Sequence, residues 1–189
     1  MQAFCRNNLI FLLIILTPAT VNAMKSMKQG DAVITMHAGK PCFSYPQDKE
    51  IRKRPYSFGY LGISKAGPLS DIRWEIEITR ADRKDLVEPN STDTCIEYGT
   101  RHPGTKDIEP AKPLIVDTPY EVGMVVYPIE ITDGGGNERR YSSYFCVGRS
   151  EKGETIVVGA EVNKQIGGWK CLKPGESPKR SFWQRLFGK

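Results

Sequence analysis

Ile72-Arg73-Trp74-Glu75-Ile76-Glu77-Ile78-Thr79-Arg80 decides the fold. Ile72, Trp74, Ile76 and Ile78 alternate with Arg73, Glu75, Glu77 and Thr79. Successive side chains leave a pleated strand on opposite sides, so this alternation reads as a strand with one buried and one wet face. Trp74 belongs to the core, because an aromatic of that size dominates its local packing. Glu75 and Glu77 fall on the wet face, where solubility and cross-strand ion pairs account for them better than acid–base catalysis does.

The same reading extends in both directions. Residues 24–30 are a polar N-terminal stretch, and 31–37 and 41–46 are short strands around Ala38-Gly39-Lys40. Residues 47–57 form a basic connection ending at Pro55, and 58–64 a strand closed by Gly67-Pro68. Residues 81–93 read as a loop and 94–99 as a short strand. Residues 100–113, with Pro103, Gly104, Pro110 and Pro113, read as a long irregular crossing of the kind that carries binding or spans two sheets. The strand at 119–131 is apolar on both faces after Met124, which places it centrally, and Pro128 should mark a bulge or an edge.

Asp133-Gly134-Gly135-Gly136-Asn137 is a turn between strands. Strands 139–148 and 154–162 pair through a second turn at 150–153. Tyr141, Phe145 and Val147 share a face of the first, and Ile156, Val158, Ala160 and Val162 share a face of the second. Gly167-Gly168 precedes a short strand from Trp169 to Leu172. No helix of useful length is read. Many short strands separated by turns give an all-β antiparallel sandwich of the immunoglobulin or fibronectin type III kind.

Residues 1–23 have the layout of a secretory signal peptide. The cation Arg6 precedes an apolar run from Leu9 to Leu16, and Val21-Asn22-Ala23 supplies a small-residue cleavage site. The run is far below the roughly 18 residues that span a bilayer. The expected organisation is a signal peptide over 1–23, a sandwich domain over 24–172 and a basic tail over 173–189.

Beyond the signal lie Cys42, Cys95, Cys146 and Cys171, an even count that reads as two disulfides in an exported chain. Four cysteines allow three pairings, and spacing alone does not choose. The favoured set is Cys42–Cys95 with Cys146–Cys171. A metal site is disfavoured: no Cys-x-x-Cys occurs, and His37 and His102 sit at no ligand spacing.

The net charge of +5 is unevenly placed. Residues 24–172 hold 21 basic and 21 acidic residues, so the excess lies in the tail. A nucleic-acid binder carries its basic face on the fold, so nucleic acid is excluded as a partner.

A search for catalytic chemistry assembles nothing. Gly62-Ile63-Ser64-Lys65 fails the nucleophile-elbow pattern, and Gly39-Lys40 is followed by Pro41, which breaks a phosphate loop. The expectation is no catalytic residue, no metal and no cofactor. Candidate binding residues remain. Lys49, Arg52, Lys53 and Arg54 form a basic cluster that would suit an acidic partner, although a solvated loop explains such a run as well. His102 sits in the long crossing. In the tail, Phe182 and Leu186, and Trp183 and Phe187, stand at i,i+4 around Arg185, as in a short amphipathic foot for an anionic membrane surface or a partner. The bland alternatives are a disordered end or a tail folded back on the sandwich.

The segment Gly39-Lys40-Pro41-Cys42-Phe43-Ser44-Tyr45-Pro46 resembles the V-C-F-S-V-P segment of the type VI secretion immunity proteins of the bacterial periplasm. In that family a second cysteine strand follows, then a strand of the Gly-x-Tyr-x-Val type. Cys95-Ile96-Glu97-Tyr98-Gly99 and Pro119-Tyr120-Glu121-Val122 stand in those places in the same order. The resemblance covers about residues 31–131 and supports the Cys42–Cys95 pair. Two features depart from it: no cysteine for lipidation follows the apolar run, and Cys146, Cys171 and the basic tail lie outside the simplest pattern. The family is usually lipidated, so the missing cysteine implies a soluble chain, and the resemblance implies a periplasmic protein that binds a cognate toxic effector and neutralises it by occlusion. The competing expectation is an envelope accessory module that binds glycan or assists surface assembly, which should display exposed aromatics clustered on one sheet face.

Overall fold

The computed structural model describes residues 28–67, 71–78, 86–129, 138–165 and 167–177. Residues 1–23, read as a signal peptide, residues 133–137, read as a turn, and the tail residues Phe182, Trp183 and Arg185 lie outside them. Twelve elements follow in chain order: β1 Lys28–Gly30, β2 Val33–His37, β3 Lys40–Ser44, α1 Lys49–Lys53, β4 Tyr56–Lys65, β5 Ile72–Ile78, β6 Ile96–Glu97, β7 Thr105–Glu109, β8 Pro119–Pro128, β9 Arg139–Arg149, β10 Thr155–Asn163 and β11 Gly168–Cys171.

Apart from β1, the strands form two antiparallel sheets packed face to face, the sandwich expected from the strand pattern. The larger runs β11-β10-β9-β8-β4-β5-β7, and the smaller β2-β3-β6. β3 lies over β9. Phe43 meets Phe145 edge-on with centroids 5.5 Å apart, and Tyr45 stacks on Tyr141 at 5.8 Å. Trp74 is buried, as its place in the alternation required, and its indole N–H donates to Asp107 at 3.0 Å. Tyr120, Val122, Met124 and Val126 on β8 complete the centre of the core, consistent with β8 being flanked by β4 and β9.

Both disulfides form in the favoured pairing, Cys42–Cys95 with Cα atoms 5.5 Å apart and Cys146–Cys171 at 5.8 Å. The first bridges β3 to the residue before β6, and the second fastens β11 to β9.

Several elements differ from the sequence reading. The polar stretch 24–30 contains β1, which pairs in parallel with Arg139, Arg140 and Tyr141 along the edge of β9 that β10 leaves uncovered. Gly30 permits this, since a Cβ there would meet the Tyr141 ring at 2.8 Å. The crossing at 100–113 contains β7, an edge strand on β5. Its residues Lys106, Asp107 and Ile108 are all exposed, so backbone pairing defines it without an alternating pattern. The basic connection 47–57 contains α1, a single short helix. Asp48 caps it by accepting from the Ile51 amide at 2.9 Å, and Ile51 is buried in the core. On β10 the residue facing the core is Val157, opposite Val147, while Val162 is exposed. Pro128 closes β8 opposite Tyr56, and the adjoining bulge falls on β4 between Phe58 and Tyr60.

Two polar clusters tie the layers together. The Arg139 side chain, 8 % exposed, pairs with Asp48 at 2.8 Å, and the Tyr141 hydroxyl donates to the same carboxylate at 3.1 Å. Glu88 accepts from the Tyr45 hydroxyl and from the Phe58 amide at the bulge, both at 2.9 Å.

Candidate functional site

The sequence-derived candidates do not converge. Lys49, Arg52 and Lys53 lie on α1 with Arg54 just beyond, all exposed on one short helix clamped by Asp48. His102 points inward instead. Only 8 % exposed, it donates from Nε2 to the Val87 carbonyl at 2.6 Å, while its own carbonyl accepts from the Thr105 hydroxyl at 2.7 Å. Burial pulls its pKa down, so the ring is held neutral as a strut between two loops. Glu77 forms the expected cross-strand ion pair, with Lys106 at 2.9 Å. Among the described residues no group of three or more His, Cys, Asp or Glu is placed to hold a metal, and no helix is long and apolar enough to cross a membrane.

The crossing between β7 and β8 emerges as a built feature. Its backbone is fastened at successive points. The Lys112 amide donates to the Arg73 carbonyl at 2.8 Å, and Arg73 reaches back to the Pro113 carbonyl. The Tyr98 hydroxyl lies on the Lys112 and Arg73 carbonyls. The Ile115 amide donates to the Tyr120 hydroxyl at 2.8 Å, and the Asp117 amide to the Val147 carbonyl at 2.9 Å. Burial pushes the Tyr98 hydroxyl up to about 12, so it stays a donor throughout the physiological range. Gly99 is required beneath this crossing: its φ is +66° and a Cβ there would press on Ala111 at 3.0 Å.

Leu114 packs on the core, and the chain then turns at Asp117, whose φ of 56° is unusual for a residue with a side chain. The result presents Ile115 and Val116 to solvent, 51 % and 39 % exposed. A loop held at this many points has little ordering entropy left to lose when a partner arrives. The apolar triplet Leu114-Ile115-Val116, inside an otherwise polar and proline-bearing stretch, was the available sequence signal.

The second feature is a trough on the outer face of the larger sheet, opposite the core. Gly62, Gly123 and Ser142 stand in one cross-strand row and form its floor. A Cβ at Gly123 would meet nothing within 4 Å. One part of the trough, about 430 Å³, lies between Tyr60, Tyr127 and Arg140, and an adjoining part of about 270 Å³ reaches Glu75 and Glu121. The Tyr60 hydroxyl donates to Glu75 at 2.7 Å. Tyr144 stands opposite Glu121 on the neighbouring strand and stacks on Trp169 at 3.5 Å. Burial, with the carboxylate beside each, raises both phenols. Aromatic rings therefore do gather on this face, but of Tyr60, Tyr127, Tyr144 and Trp169 only Tyr127 is more than a third exposed. Glycines interrupting strand patterns were the signal for the floor.

The chain matches no family model, no curated protein and no solved structure.

Proposed function

We propose that this is an exported, non-catalytic binding protein of the periplasm, an immunity protein that neutralises a cognate toxic effector by occluding its active site. The observation that carries the reading is the crossing at 110–118. It is locked to the frame by Arg73, Tyr98 and Tyr120, and it projects Ile115 and Val116 into solvent at one end of the sandwich. Exposed aliphatic side chains on a pre-organised loop are the anchor that a plugging interface needs. The two disulfides suit an oxidising compartment, and the order of motifs around Cys42, Cys95 and Tyr120 supports the immunity assignment.

The test is co-expression with the secreted effector encoded beside the gene, both directed to the periplasm. The expected result is restored growth and co-purification. Ile115→Asp/Val116→Asp should weaken the complex by about 30-fold, from roughly 2 kcal/mol of lost burial. Absence of rescue by the intact chain would refute the reading.

A further inference from the structure

We propose that the outer-face trough of the larger sheet is a docking site for this chain's own residues 178–189. The inference does not depend on the toxin reading.

Three observations converge on it. The first is where the chain goes. Tyr141, Phe145 and Val147 of β9 face the core, so Ser142, Tyr144 and Cys146 face outward. Cys171 is bonded to Cys146 and Trp169 is stacked on Tyr144, so β11 lies against the same face that carries the trough. After Cys171 the chain turns at Lys173–Glu176. The Glu176 amide donates to the Lys173 carbonyl at 3.0 Å, the Lys173 amide donates to the Glu176 carboxylate at 3.0 Å, and Gly175 has a φ of +83°. Such a turn reverses chain direction. The floor residue Ser142 is four positions from Cys146 on one strand, about 13 Å away. The twelve residues 178–189 reach about 40 Å when extended.

The second observation is charge. Residues 178–189 carry Lys179, Arg180, Arg185 and Lys189 and no acid. On the trough side, Glu75 accepts from the neutral Tyr60 hydroxyl and Glu121 stands opposite Tyr144, while Arg140 adds a cation to the same lining. Glu75, Glu77 and Glu121 outnumber Arg140 in that lining, an acidic excess on a protein whose net charge is +5.

The third is shape. The Tyr60 ring covers Gly62, and the open space above Gly123, beside Ser142, leaves room for large side chains. Phe182, Trp183 and Phe187 supply them. The exposed ring of Tyr127 and the partly exposed Ile72 give apolar surface at the margins of the trough. Tethering raises the effective concentration of such a segment to the millimolar range, so modest contacts suffice.

The experiment follows the Trp183 indole N–H and the Gly123 amide by NMR in the oxidised exported chain. Two full-length variants and a synthetic peptide of residues 178–189 are compared with it. In Gly123→Leu the side chain enters open space, so the fold is retained while the trough is filled. In Lys179→Glu/Arg180→Glu/Arg185→Glu the segment keeps its length and loses its charge. The expected result is a Trp183 resonance shifted from that of the free peptide, independent of protein concentration. Both variants should return it to the peptide position, and about 0.5 M salt should weaken the shift. A Trp183 resonance that coincides with the free peptide in the intact chain overturns the proposal. So does a shift that survives Gly123→Leu, or one that grows with concentration and so reports a second copy. A soluble oligosaccharide such as chitotetraose moving the Gly123 amide, with no effect from the charge-reversed segment, overturns it in favour of a glycan site.

Discussion

Replacing both Tyr98 and Tyr120 by Phe should loosen the 110–118 crossing while leaving the sandwich folded. Each substitution removes one oxygen and keeps the ring. Trp74–Tyr98 and Tyr120–Phe145 packing, at 5.3 and 5.7 Å between centroids, is therefore retained. Two hydrogen bonds are lost. One is the Ile115 amide to the Tyr120 hydroxyl at 2.8 Å. The other is from the Tyr98 hydroxyl, whose single proton serves either the Lys112 or the Arg73 carbonyl and so counts once. A neutral hydrogen bond contributes about 1 kcal/mol net. The larger penalty for a buried orphan does not apply at Ile115, which is 51 % exposed and open to water. The sum is about 2 kcal/mol, or about 30-fold in the opening equilibrium of the loop. Amide hydrogen exchange reads this directly: Lys112, Ile115 and Asp117 should exchange about 30-fold faster, with amides of β8 and β9 changed by less than about threefold. If the three loop amides keep their wild-type rates, the crossing is held by Leu114 and its prolines alone, and its pre-organisation by side chains is refuted. Equal acceleration of loop and core would instead place the effect in global stability and would refute the local reading.

Asp48→Ala should lower stability in urea by about 3 kcal/mol, the lower end of the range for breaking a buried pair because Asp48 is 31 % exposed. A loss below about 1 kcal/mol would mean that Ile51, and not the charge pair with Arg139, anchors α1. His102 contributes a pH dependence of definite sign. Its pKa is lowered in the folded state by burial, so below about 6.5 the unfolded chain takes up a proton that the folded one resists. Stability should therefore be flat above that pH and fall as the pH drops toward the lowered native value; His102→Gln should remove this component, and an unchanged pH profile would show that the ring is not the group responsible.

The legible parts of the sequence were those in which packing writes a pattern. Trp74 and Ile76 declare a buried face because every second residue of β5 is apolar. Phe43 and Phe145, the aromatic contact between layers, sit in strands recognisable from their turns. The cysteine pairing is the favoured one of three that spacing alone leaves open. What escaped was held by the backbone. β1 and β7 are edge segments whose stability comes from pairing, and Lys106, Asp107 and Ile108 are exposed without alternation. His102 looked like a loop residue available for binding. Its role as a buried strut depends on Val87, fifteen positions away, which no local pattern indicates. Ile115 and Val116, two exposed aliphatics in a loop, carry no period. Their significance comes from the hydroxyls and the guanidinium that fix the chain beside them.

Rigidity passes from the first disulfide to the tip of the crossing through a short path. Cys42 is bonded to Cys95, and the Tyr98 amide donates to the carbonyl of Pro41, next to Cys42, at 2.8 Å. Tyr98 is thus fixed at both ends, its backbone on β3 and its hydroxyl on the Lys112 carbonyl. The second disulfide acts elsewhere, on the outer face, where it closes β11 over β9 and leaves the space above Gly123 open. The two bridges therefore stiffen two surfaces that share β8 and β9 but little else. Tyr120, which accepts from the loop, and Glu121, which borders the trough, are consecutive residues pointing to opposite faces of β8. A partner held at Ile115 and Val116 would leave the trough accessible, and a segment lying in the trough would leave the loop tip free.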